Sequence, residues 1–146
     1  MSFCCINTYM AFKRIKGSDR GLQERAISST AFAVGDLLVY DRSNAIVIVA
    51  TAAAEIDNLA GVCVKATTTS DSLVLLQKII VGDVYEVDAL NTIDAGDNYM
   101  RMIWGTGQTV DNSGTDVPGD TGIFMQTAIT TTGKVVGEFV TGSLGD

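Results

Sequence analysis

From Phe32 onward, short apolar or alternating runs recur between clusters of Gly, Asp, Asn and Ser. Runs of that length, bounded by turn-forming residues, are what strands of a sandwich or barrel look like in sequence. They predict strands over residues 36–41, 45–50, 59–66, 73–81, 84–88, 99–104, 123–130 and 135–140. Between the first two, Asp41-Arg-Ser-Asn44 supplies side chains that hydrogen-bond their own backbone and tolerate a tight turn, so a hairpin is expected there.

The pattern also predicts which faces are wet. In the run 84–88, Val84, Glu86 and Asp88 fall on one side and Tyr85 and Val87 on the other, so one face meets solvent. By contrast, the runs Ile-Val-Ile-Val at 46–49 and Ile-Ile-Val at 79–81 are apolar on both faces. Strands of that kind are covered twice, by a core on one side and by another layer or subunit on the other.

An internal echo joins two of these runs. Val34-Gly-Asp-Leu-Leu-Val-Tyr-Asp41 and Val81-Gly-Asp-Val-Tyr-Glu-Val-Asp88 each place Gly-Asp before an alternating strand that ends in Asp. In each, Gly and Asp are expected to form the turn that launches the strand, giving two equivalent strand starts in one barrel. Two copies are too few for a propeller or solenoid. Residues 89–122 break the rhythm with clustered Gly, Asp and Asn, and Pro118-Gly119 suits the centre of a type II turn. The span 105–121 reads as a loop longer than ordinary connections, best used in contact with a neighbour.

Composition narrows the classes. The chain has 146 residues, 47% hydrophobic and 18% charged, with fifteen Gly and one Pro, which fits a single folded all-β domain. It contains no histidine, so the commonest general base, metal ligand and partner of a Ser or Cys nucleophile is missing. No Ser-x-x-Lys spacing offers a lysine base instead. Catalysis is therefore not expected, and neither is a cofactor. Three cysteines, with Cys4 and Cys5 adjacent, suit free thiols made in a reducing cytoplasm, and Cys63 between two valines reads as a small buried hydrophobe.

Two other chemistries have weak signals. Gly105-Thr-Gly107 lacks the third glycine and the Gly-Lys-Ser/Thr ending of a phosphate loop. Asp94, Asp97, Asp111, Asp116 and Asp120 could offer oxygen to Ca²⁺, but without the twelve-residue loop closed by Glu they read as turn formers.

Charge is unevenly placed. Residues 1–25 hold Lys13, Arg14, Lys16, Arg20 and Arg25 against Asp19 and Glu24, a net +3, whereas the remaining chain sets five basic residues against fifteen acidic ones, a net −10. The apolar residues Phe3 to Ile6 precede the charges, which is the wrong order for a secretory signal. The apolar stretch 45–54 is far shorter than a membrane span of ~20 residues. The acidic body would repel a nucleic acid, and Gly17-Ser-Asp19 is poor material for an amphipathic helix. The expectation is an extended basic arm over residues 1–30, docking on an acidic protein surface. Phe3, Tyr9, Phe12 and Ile15 would be its anchors, and Lys13, Arg14, Lys16, Arg20 and Arg25 the charges that fix register. Residues 31–146 would then form the β domain.

Residues 34–88 resemble the head decoration, or capsid cement, proteins of tailed bacteriophages. The resemblance is carried by Val34-Gly-Asp-Leu-Leu-Val-Tyr-Asp41, the Ala-rich passage at 50–57, Leu59-Ala-Gly-Val-Cys-Val-Lys-Ala66, Leu73-Val-Leu-Leu76 and the second Gly-Asp strand start. It implies a small β-barrel or tulip-like sandwich with an extended N-terminal arm. It further implies a non-enzymatic virion protein, a homo-oligomer and by preference a trimer, that binds major capsid protein on the capsid exterior and bridges capsomers. The segment 89–122 departs from compact family members, which leaves the order of the last strands open. A head-tail joining or tail component is the nearest alternative. A ligand-binding barrel would need a cavity lined by residues such as Tyr85, Tyr99, Trp104 and Phe124.

Overall fold

The computed structural model describes residues 12–17, 21–50, 58–89, 95–97, 99, 101–104, 109–111, 124–130 and 133–140. Eleven strands are found among them: β1 (Phe12–Lys16), β2 (Leu22–Ala26), β3 (Leu37–Asp41), β4 (Ile46–Val49), β5 (Leu59–Cys63), β6 (Leu73–Gln77), β7 (Val84–Val87), β8 (Arg101–Trp104), β9 (Val110–Asp111), β10 (Phe124–Ile129) and β11 (Val135–Phe139). A short 3-10 turn lies at Ala95–Asp97. Every predicted strand contains an observed one, usually shorter. Among the described residues no helix is long and apolar enough to cross a membrane.

The strands form two antiparallel sheets. One has the order β1-β7-β11-β10-β8-β9, the other β2-β6-β5-β3-β4. In the five-stranded sheet the outermost strands, β2 and β4, approach one another although the ladder is open between them. The sheet is therefore curled around its concave face, where Phe32, Leu38, Val47, Cys63, Val74 and Leu76 pack together. No ladder closes it among the described residues, so the expected small barrel is instead an open curled sheet backed by a second sheet.

The opposite, convex face of β3 and β5 meets the six-stranded sheet. Leu37, Val39, Leu59 and Val62 pack there against Phe12, Tyr85, Phe124 and Phe139. Four rings make the centre of this layer: Phe12, Tyr85 and Phe124 are each 5.2 Å from Phe139, and Tyr85 and Phe124 lie 6.3 and 5.8 Å from Phe12, mostly edge to face. Such pairs contribute about 0.5–1.5 kcal/mol beyond the area they bury. Burial along β3 explains why its run is apolar at successive positions: Leu37 and Val39 enter one core and Leu38 the other. In β7 the simple alternation holds, with Tyr85 and Val87 buried and Val84 and Glu86 half-buried, and β11 alternates likewise, with Val135, Gly137 and Phe139 buried.

The repeated Val-Gly-Asp segments do launch strands. Asp36 N donates to Ala33 O at 3.1 Å and Asp83 N to Ile80 O at 3.0 Å. Gly35 and Gly82 occupy the third turn position with φ of 94° and 102°, the left-handed backbone that a type II turn demands there. The two turns, however, serve different sheets, since β3 lies in the curled sheet and β7 in the six-stranded one. The segment 79–81 is likewise not a doubly covered strand: Ile79 is buried, but Val81 sits in the turn, 61% exposed. In β4 Val47 is buried and Ile48 is 37% exposed, so among the described residues only one face of that strand is covered.

Candidate functional site

The basic N-terminal segment is not an arm where it is described. β1 is the first strand of the six-stranded sheet and β2 an outer strand of the other, so residues 12–16 and 22–26 belong to the two-sheet body. The boundary expected at residue 30 falls after both strands. β1 pairs with β7 across the chain, Phe12 opposite Val87, Lys13 opposite Glu86 and Arg14 opposite Tyr85, with an irregularity between Arg14 and Lys16. The physical reason is long-range: the rings that pack on Phe12 are Tyr85, Phe124 and Phe139, all more than seventy positions away in sequence.

β1 is fastened to both Val-Gly-Asp turns. Phe12 N donates to Gly35 O at 3.0 Å, tying the strand to the turn before β3. At the other turn, Arg14 Nη1 lies 3.7 Å from Asp83 Oδ2, a carboxylate with little exposure. Gly17, next along the chain, leaves no room for a Cβ beside the Asp83 carboxyl group. Tyr85 lies close by with its hydroxyl buried and, among the described residues, without a hydrogen-bond partner. Burial pushes its phenol far above the ordinary range, Asp83 adds to the rise and Arg14 opposes it.

The expected docking residues therefore separate. Phe12 is 1% exposed and belongs to the core, not to a partner. Arg14 is occupied by Asp83. Lys13, Ile15 and Lys16 are exposed, with Ile15 at 46%, and form the outward margin of β1. Arg25 lies on β2, in the other sheet. Phe3, Tyr9 and Arg20 fall outside the described residues, as do Cys4, Cys5, Asp94, Asp116, Asp120 and most of the long loop expected at 105–121. Among the described residues no three His, Cys, Asp or Glu side chains come together as metal ligands would.

The cavity lined by aromatics that a ligand-binding barrel would need is not formed by Tyr85 and Phe124. Both are fully buried and in contact through Phe139, while Tyr99 is 72% exposed. Cys63 is buried as expected, its Sγ donating to Lys65 O at 3.2 Å, and burial raises its thiol to about 11.

A second region went unnoticed in the sequence. Where β2 and β4 approach, a cavity of about 390 Å³ is lined by Arg25, Tyr40, Asp41, Arg42, Ile46 and Val47 among others. Arg25 is held in place there: its Nε donates to Tyr40 Oη at 3.2 Å, Nη1 to Glu24 O at 2.9 Å and Nη2 to Gln23 Oε1 at 2.6 Å. Asp41 accepts from Asn44 Nδ2 at 2.8 Å and Ser43 Oγ at 3.1 Å, and these bonds hold its carboxyl below the usual range. Nothing in the local sequence marks this site, because Arg25 and Arg42 meet only through the curl of the sheet.

The chain matches no protein-family model and no curated protein.

Proposed function

We propose that this chain is a non-enzymatic structural subunit of a virion, a decoration protein that docks on the outside of an assembled capsid and stabilises it by bridging capsomers. The observation that supports this reading most is the outward margin of β1, where Lys13, Ile15 and Lys16 are exposed on a strand whose other residues are locked into the body. A rigid cationic edge on a chain of net charge −7 suits one acidic partner surface better than general adhesion. The resemblance in the two Gly-Asp strand starts supplies the partner, major capsid protein, and the trimer is part of the same proposal. Many weak contacts on a symmetric lattice would suffice, because each bound copy raises the local concentration for the next.

Docking through this edge makes binding depend on charge and salt. Lys13→Glu combined with Lys16→Glu is expected to weaken co-sedimentation with assembled capsids by about tenfold or more, and raised salt to weaken the wild type in the same direction. Wild-type binding by the charge-reversed protein, with its fold intact by circular dichroism, would remove the edge of β1 from the proposal.

A further inference from the structure

We propose that the seam between β2 and β4 is a second docking site, taking an acidic, extended peptide segment of a protein partner. The segment's main chain would run along the edge of β4, which no ladder covers among the described residues, with a carboxylate held between Arg25 and Arg42.

The edge itself asks for a cover. Among the described residues β4 ends its ladder; it is apolar at all four positions Ile46 to Val49 and pairs with β3 without a bulge. It carries no lysine, proline or irregularity, the devices by which native proteins keep an exposed edge from recruiting other strands. The edge of β1 shows the contrast, with Lys13, Lys16 and a broken register. Strand addition supplies main-chain hydrogen bonds along such an edge, and the side-chain pocket beside it decides which strand is accepted.

Here that pocket is cationic. Its volume of about 390 Å³ lies within the span of small-ligand sites, roughly 300–1,000 Å³. Among the described residues neither Arg25 nor Arg42 forms an ion pair. The one carboxylate in the wall, Asp41, is turned to Ser43 and Asn44. The three bonds that hold Arg25 fix its planar fork before any ligand arrives, so little freedom is lost when a carboxylate binds. A second copy of this chain is a poorer occupant, because pairing β4 with β4 would bring two arginine-lined seams together. The site belongs to the curled sheet and β1 to the other, so it stands whether or not β1 meets a capsid.

The test uses the full chain, ¹⁵N-labelled, and two blocked peptides, Thr-Val-Glu-Val-Glu-Val-Thr and its counterpart with Gln for Glu. Saturable shifts at the amides of Arg42, Ile46 and Val47 and at Arg25 Nε are expected with the Glu peptide at concentrations up to about 1 mM. Affinity should fall by about tenfold or more for the Gln peptide, and likewise for Arg42→Gln, a change in an exposed turn that leaves the Arg25 bonds intact. Equal binding of both peptides, shifts confined to β1, or no shift at all would overturn the proposal. So would concentration-dependent broadening of residues 46–49 without peptide, which would show that a second copy covers the edge.

Discussion

Phe12 and Lys13 are neighbours with opposite fates, and substitution separates them. Phe12 is 1% exposed among Tyr85, Phe124 and Phe139, so Phe12→Ala should lower stability by about 3–5 kcal/mol in urea unfolding, as expected for an aromatic lost from a packed core. Lys13→Ala, on the solvent side, should stay within about 0.5 kcal/mol of wild type. Cys63 gives a pH dependence whose sign follows from burial. Unfolded, its thiol ionises from its ordinary 9.0, but folded only near 11, so the unfolded state releases its proton first and stability falls as pH rises between those values. The loss should be on the order of 1 kcal/mol by pH 10. The raised phenol of Tyr85 pulls the same way at higher pH. Comparing urea midpoints at pH 8 and pH 10 checks this, and Cys63→Ala should flatten the slope.

At the scale of elements, removing residues 2–25 would take away β1 and all but the last residue of β2, one outer strand from each sheet. Tyr85, Gln77 and Leu76 would lose their cross-strand neighbours, and the aromatic layer would lose Phe12. The truncated chain is expected to show no cooperative thermal transition by calorimetry; a two-state transition near the wild-type Tm would mean that β1 and β2 contribute little. Both strands escaped sequence reading for one reason. In Phe-Lys-Arg-Ile-Lys the residue that enters the core is single, and the partner that neutralises Arg14 is Asp83, far along the chain. In Leu-Gln-Glu-Arg-Ala the inward side carries Gln23 and Arg25, half-buried polar residues that bond each other, with Arg25 also bonding Tyr40 and the Glu24 carbonyl. The other strands were legible because their apolar residues recur at short range. Val110 in β9 was not, since a two-residue strand has no period to show.

For the molecule as a whole, two-faced apolarity predicts double cover at 46–49 and 79–81, and among the described residues neither run has it; the strands covered on both faces lie elsewhere. In β3 and β5 the second cover is internal, the concave core of the curled sheet. In β4 the outer face stays open among the described residues, which is why that strand raises the question of a partner. Sheet membership of the two Gly-Asp strand starts was not legible, because a turn motif specifies how a strand begins and not which neighbour it finds.

The double fastening of β1 also has a mechanical side. Load applied at Lys13 or Lys16 has two routes inward, through the Phe12 to Gly35 hydrogen bond into the turn of the curled sheet and through Arg14 and Asp83 into the turn of the six-stranded one. Alongside them runs the β1–β7 ladder, which such a pull along the strand loads in shear, several bonds at once. A grip on this edge is thus a grip on both sheets, and slipping it requires the two turns and the ladder to yield together.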